Sequence, residues 1–325
     1  MKANDIPALS IGIVYDGKLA YFEGFGTLDR ESSEKVDEQT VYQIGSDTKK
    51  LTAIIVKHLV QEGKLDLDAS IATYLGHEVS ADTKEQLRQV TVRQLLRHTA
   101  GVPYRAASNK RIDGDPMLVA YSTADLLKDI NGLMLASEPG TKFGYSNFGY
   151  ALIGYICERA SSQTYAALLK KYVAGKYGLA NTFVHPSHQQ VSLVATPYRK
   201  DDRAIKSQPW NMGRMTPAGG VYSNVRDLSL LMIEQIMTYR QQESGEIEDS
   251  PLILTTHADS SHYGLGLGKT VRAGRTWYGH GGDLDGFASA YVFSPEYERG
   301  LIILTTSGGS WVGRLENEIK DVLFR

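Results

Sequence analysis

The stretch from Tyr42 to Gly63, YQIGSDTKKLTAIIVKHLVQEG, combines a helix start with a reactive pair of side chains. Leu51, Val56, Leu59 and Val60 recur among Ile54, Ile55, Lys57, His58 and Gln61 at helical spacing, and Gly63 is a natural stop after the last turn. Ser46 therefore stands at the helix entrance. Lys49 follows three residues later on the same face, which brings its amine within reach of the Ser46 hydroxyl. A serine hydroxyl reacts only once a base takes its proton, and a lysine is such a base when burial or a neighbouring cation lowers its pKa from about 10.4. Two readings of Ser46 stay open on this pattern alone: a nucleophile beside its base, or a plain N-cap. A second S-x-x-K, Ser32-Ser33-Glu34-Lys35, has no apolar helix behind it and reads as a solvated loop.

Composition narrows the classes. A chain of 325 residues with 42% hydrophobic content can bury a large core, as one big domain or two interlocked lobes. A net charge of −2 without any Lys/Arg-rich block leaves no electrostatic footprint for nucleic acid or an anionic membrane surface. Cys157 is the only cysteine, so neither an intrachain disulfide nor a thiolate metal cluster can form, and the compartment stays open. No apolar run approaches the roughly 20 residues of a membrane span, and MKAND leads straight into IPALSIGIVYDG without a signal-like core. That start fits a cytoplasmic protein, or a periplasmic or secreted one whose export signal has been trimmed. The oligomeric state is not readable.

Residues 9 to 26 alternate in the strand manner, and Asp16-Gly17 between the two runs signals a hairpin with a type I′ turn. From Asp66 to Glu138 short amphipathic pieces, among them Thr91 to His98 and Ser122 to Leu135, make a helical region. The turn Glu138-Pro139-Gly140 introduces a further helix with an apolar stripe through Ala151, Leu152, Tyr155 and Ile156, and Tyr145-Ser146-Asn147 stands at its entrance. The aperiodic stretch from Thr196 to Pro217 reads as a functional wall, with Trp210 its best candidate to face a substrate. A helix from about Val225 to Tyr239 is followed by strands at Tyr263 to Thr270, Phe287 to Phe293 and Leu301 to Thr306, and by a closing helix from Trp311 to Phe324. Strands at both ends with helices between predict an α+β fold: one antiparallel sheet built from the two termini, with a helical lobe inserted. The expected division is 1–65 and 205–325 for the sheet lobe and 66–204 for the helical lobe, together one discontinuous catalytic unit.

Several familiar sites are excluded by spacing. Gly264 to Thr270, GLGLGKT, is one residue too short for a phosphate loop, and strand alternation accounts for its leucines. No H-E-x-x-H or G-x-S-x-G occurs, and the proline in His185-Pro186-Ser187-His188 argues for a surface loop rather than a metal site. Tyr145 and Asn147, two apart in an extended entrance, present a phenol able to shuttle protons beside an amide. That amide can donate to a substrate carbonyl while accepting from the Lys49 ammonium. The same tripeptide at Tyr222-Ser223-Asn224 reads instead as a helix N-cap followed by an acidic first turn.

The chain resembles the serine β-lactamase and DD-peptidase superfamily, and within it the class C-like branch with a tyrosine in the second motif. The resemblance covers nearly the whole chain, through YQIGSDTKKLTA, GKLDLDASIATYL, VRQLLRHTAGVP, EPGTKFGYSNFGYALIGYI, TPAGGVYSNVRDLSLLM and YGHGGDLDGF in order. It implies a β-lactamase/transpeptidase-like fold, Ser46 as nucleophile, Lys49 and Tyr145 as the proton-handling pair and Asn147 as positioner. It also implies His280-Gly281-Gly282 in the place of the family's Lys-Thr-Gly. Two glycines after His280 let a strand edge approach a substrate, and the N–H of Asp283, with that of Ser46, would form an oxyanion hole. His280 is then a tuner of Tyr145 or an additional donor.

His-Gly-Gly offers a partial charge near neutral pH and no hydroxyl where Lys-Thr-Gly offers a fixed cation and a hydroxyl for a carboxylate. The resemblance therefore implies a serine hydrolase acting through an acyl-enzyme on a small amide, an ester or a peptide, D-amino-acid peptides included, with no metal or organic cofactor. A class C-like β-lactamase and a penicillin-binding sensor that acylates without turnover are the alternatives. The expected partner is a small molecule or short peptide.

Overall fold

In the computed structural model, which describes residues 6–108, 120–256 and 261–323, the alternation at residues 9 to 26 becomes a hairpin. Strands β1 (Ala8–Tyr15) and β2 (Lys18–Gly26) pair antiparallel with Tyr15 opposite Lys18. Asp16 and Gly17 both take positive φ, 52° and 68°, as a type I′ turn requires. The short strands β3 (Tyr42–Gln43) and β4 (Tyr222–Ser223) form a separate two-stranded ladder. Strands β5 (Gly268–Arg272), β6 (Arg275–Asp283), β7 (Ala288–Ser294) and β8 (Arg299–Thr305) complete the main sheet, in the order β2-β1-β8-β7-β6-β5. Every neighbouring pair is antiparallel, so both chain ends build one sheet as expected.

Both faces of that sheet are covered, which explains why β7 and β8 are apolar at successive positions rather than alternating with polar ones. Tyr291, Phe293, Ile302 and Leu304 point into the large core shared with the serine helix (Thr48–Gln61) and the helix Val225–Glu243. Leu301 and Ile303 point the other way, onto Trp277 and Trp311 beneath the closing helix Trp311–Val322; the expected end at Phe324 lies outside the described residues.

The serine helix is apolar on nearly all sides because it runs through the middle of the core, and Gly63, at φ 68°, accommodates the left-handed residue after its end. Thr91 and Ser122 each cap a short helix through a capping box, and Asn224 caps its helix by accepting from Asp227 N at 2.8 Å. Ser32 to Lys35 lie in an irregular, largely exposed segment. Among the described residues no helix is long and apolar enough to cross a membrane, and no group of three or more His, Cys, Asp or Glu could hold a metal.

One strand is corrected. Tyr263 to Leu267 do not form a strand; the strand begins at Gly268, which Tyr263 meets only through an isolated antiparallel bridge. Gly266 takes φ +75°, and a Cβ there would meet the Lys49 carbonyl oxygen at 2.5 Å. The alternating leucines belong to a loop folded tightly against the start of the serine helix, where only glycine lets the backbones approach.

Candidate active site

Ser46 occupies a 3-10 turn, Gly45–Asp47, that feeds directly into the serine helix. Gly45 has φ +53°, and a Cβ there would come within 3.1 Å of Gly282 Cα and 3.3 Å of Asp283 N. A Cβ on Gly282 would in turn meet Ile44 O at 2.0 Å. Glycines on both sides thus let the turn lie against β6.

Lys49 is fully buried. Its Nζ contacts Ser46 Oγ at 3.2 Å, Asn147 Oδ1 at 2.7 Å and Ala218 O at 2.6 Å. Burial drives its pKa well below the usual lysine value, because the three oxygens around it are neutral and replace water poorly. The amine also lies 4.9 Å from the centre of the Tyr145 ring and 5.4 Å from that of Tyr150.

Ser146 is the N-cap of the helix Asn147–Ser161, its Oγ accepting from Gly149 N at 2.8 Å. That cap turns the chain so that Tyr145 and Asn147 flank Lys49. Burial raises the Tyr145 pKa above the ordinary phenol value, and a hydrogen bond to Ser46 offsets part of the rise. Ser46, Lys49, Tyr145 and Asn147, drawn from two distant segments, therefore meet in one place.

His280 and Asp283 sit on β6. The β5 partner covers β6 only as far as Gly279, so among the described residues the edge from His280 to Asp283 has no strand paired to it on that side. Leu284 N donates to Phe287 O at 2.8 Å, so by antiparallel alternation the N–H of Asp283 faces away from β7, toward the open edge and Ser46. Asp283 Oδ1 accepts from Gly309 N at 2.9 Å. The His280 and Tyr145 rings lie 6.1 Å apart, and His280 Nδ1–H donates to Gly281 O at 2.6 Å. Desolvation, then the nearby Lys49, pushes His280 down to about 3, so it is neutral at ordinary pH.

A cavity of about 100 Å³ opens beside Ser46 and Asn147, walled by Trp210, Met212 and Met215. Trp210 is clamped there by Gln43, which accepts from Trp210 N and donates to Trp210 O, both at 2.8 Å.

Three contributors carried no role in the sequence reading. The Ala218 carbonyl has no side-chain signature at all. His98 lies within VRQLLRHTAGVP, but its part shows only in space: Nδ1 accepts from Ser146 N at 3.0 Å and its ring packs 4.3 Å from that of Tyr145. Burial, with Lys49 nearby, pushes His98 down to about 2. The third is Arg105, at the cavity mouth.

A family model described as Beta-lactamase matches residues 1–322. Protein flp of Staphylococcus aureus (strain COL) is 25% identical across 97% of this chain, which spans 62% of that relative's length. The octameric penicillin-binding protein homologue from Pyrococcus abyssi superposes with a TM-score of 0.76 at 26% identity, over 94% of this chain and 71% of that one. A beta-lactamase/D-alanine carboxypeptidase from Yersinia pestis, complexed with citrate, shares the fold at 20% identity and a TM-score of 0.75, over 94% of this chain and 89% of that one. With the family model running through both sheet segments and the helices between them, the chain belongs to the beta-lactamase family.

Proposed function

We propose that this chain is a serine hydrolase that works through an acyl-enzyme on a small amide, an ester or a short peptide, D-amino-acid peptides included. The site would lie between a sheet lobe, 1–65 and 205–325, and a mainly helical lobe, 66–204. One observation supports the reading above the rest: a wholly buried Lys49 amine 3.2 Å from Ser46 Oγ, with neutral oxygens as its other partners. Desolvation favours the free amine, which has two N–H donors and one lone pair. The donors satisfy Asn147 Oδ1 and Ala218 O, and the lone pair is left for the Ser46 hydroxyl.

In the proposed cycle Ser46 Oγ bonds to the substrate carbonyl carbon as its proton passes to Lys49. The N–H groups of Ser46 and Asp283 hold the oxyanion. The bond to the leaving group then breaks, that group takes a proton from Tyr145, and Lys49 restores the phenol. Water attacks the ester by the same route and frees Ser46. The scheme requires no metal or organic cofactor. A neutral His280 gives a penicillin carboxylate no fixed charge, which argues for peptidase or esterase action over strong β-lactamase action.

Turnover of D-Ala-D-Ala peptides, D-aminoacyl amides, short-chain aryl esters and a chromogenic cephalosporin, with intact mass measured alongside, tests this. Turnover of at least one class that disappears in Ser46→Ala is expected. Hydrolysis that survives Ser46→Ala would refute the assignment, and a lasting Ser46 adduct without product would favour the sensor.

A further inference from the structure

The hydrolase reading leaves the substrate's own charge unassigned, and the cavity beside Ser46 bears on it. Among the described residues, two charged side chains line that cavity, Arg105 and Asp283. Asp283 is already engaged, by Gly309 N at 2.9 Å and by Lys200 Nζ at 3.9 Å. Arg105 is exposed at the mouth, its guanidinium 5.3 Å from the centre of the Tyr104 ring, and among the described residues no carboxylate pairs with it.

The backbone that carries Arg105 is held firmly. Pro103 O accepts from Ser146 Oγ at 2.7 Å, and Tyr104 O accepts from Asn147 N at 3.0 Å and Phe148 N at 3.4 Å. The segment is thereby tied to the helix start that bears Tyr145 and Asn147, so the guanidinium springs from a point fixed relative to Ser46.

The half of the substrate that enters this cavity follows from the proton path. Tyr145 would protonate the leaving group, so the leaving group lies toward Tyr145 and His280, neither of which lines the cavity. The acyl half is left for the cavity wall of Trp210, Met212 and Met215.

We propose that Arg105 is a specificity-determining residue that binds a carboxylate on the acyl half of the substrate, a few bonds from the scissile carbonyl. The proposal rests on the hydrolase reading. It makes the preferred substrates esters or amides of acyl groups that are apolar near the carbonyl and anionic at the far end. The anion is recognised through a planar, two-pronged donor that a carboxylate matches and a neutral amide does not.

Aryl esters of adipic acid, with the far carboxylate free, are compared with the matching adipamic esters, in which that carboxylate is a neutral carboxamide of nearly the same shape. Wild-type kcat/KM is expected to favour the acid by about fivefold to tenfold, the range for a charge-assisted contact at a partly exposed site. Arg105→Gln is expected to bring the ratio close to one by lowering the rate of the acid ester much more than that of the adipamic ester. Arg105→Lys should keep part of the preference, and added salt should reduce it in wild type. Equal rates for the two esters in wild type, with hydrolysis still dependent on Ser46, would overturn the Arg105 proposal and leave the hydrolase reading intact. An equal fall for both esters in Arg105→Gln would likewise overturn it, by showing a structural role. Failure of wild type to cleave either ester, together with no turnover of the broader substrate panel, would remove the hydrolase reading and this proposal with it.

Discussion

His98 Nδ1 accepts a 3.0 Å hydrogen bond from the backbone N–H of Ser146, the residue after Tyr145. A backbone donor points at Nδ1, so the proton of the neutral ring sits on Nε2, which is buried without a hydrogen-bond partner among the described residues. The bond holds the backbone next to Tyr145, and the His98 ring packs 4.3 Å from the phenol ring. His98→Phe keeps a ring and removes the acceptor, leaving a buried N–H unsatisfied at a cost of about 1–3 kcal/mol. Thermal denaturation should show that loss, and kcat should fall about tenfold or more with KM little changed. An unchanged kcat would show that Tyr145 is positioned without His98.

Acid stability should follow the buried histidines. Burial pushes His98 down to about 2 and His58 to about 4, against an ordinary value of 6.5. Between those values the unfolded chain binds protons that the folded chain refuses, so the stabilisation is complete above about 6.5 and drains away as the pH falls. Asp47, buried against Lys50 at 2.5 Å and pushed up to about 6, acts in the opposite sense between 3.8 and that value. With three imidazoles, those of His58, His98 and His280, against the two raised carboxyls of Asp47 and Asp227, the melting temperature should drop from pH 7 to pH 5, and less steeply in His98→Phe. A flat profile in wild type would contradict the burial argument.

If free Lys49 amine is the base, kcat/KM should rise with pH and level off well below the ordinary lysine value. The raised Tyr145 phenol places any alkaline loss above 10. Asn147→Asp puts a carboxylate where Oδ1 now stands, 2.7 Å from Nζ, and favours the ammonium. Its acid limb should move up by about one pH unit or more, whereas Asn147→Ser should lower the rate without that displacement. Identical limbs in wild type and Asn147→Asp would assign the titration to another group.

Backbone and side chain can be separated at Asp283. Asp283→Ala retains the N–H that faces Ser46 and should keep kcat within a fewfold of wild type. Asp283→Pro deletes that N–H; losing one oxyanion donor typically costs about 100-fold to 1,000-fold in kcat. Steady-state rates on one Ser46-dependent substrate decide it, since a large loss in Asp283→Ala would give the carboxylate a role not foreseen here.

Local rules carried much of the architecture. The Asp16-Gly17 turn, the Asn224 cap and the helix behind Ser46 depend on spacing within a few residues, and each appears in the structure, as does the sheet from both chain ends that the order of strands and helices along the chain predicted. The exception, Tyr263 to Leu267, alternates for a reason outside itself, the close passage of Gly266 over the Lys49 carbonyl. Alternation alone cannot distinguish a strand from a loop whose side chains are sorted by a neighbour.

The sequence by itself determined which side chains were available: an alcohol and an amine one helical turn apart, and a phenol and an amide two residues apart. Only the tertiary structure decided that these pairs meet, and that the Ala218 carbonyl, 169 residues from Lys49 in the chain, completes the amine's surroundings. It also decided that His98 bonds to the residue after Tyr145 and packs against the Tyr145 ring, and that Arg105 lines the cavity beside Ser46. The reason is physical. Helices, caps and turns follow from short-range geometry, whereas desolvation and proton affinity belong to a packed set of distant segments and have no value until those segments have met.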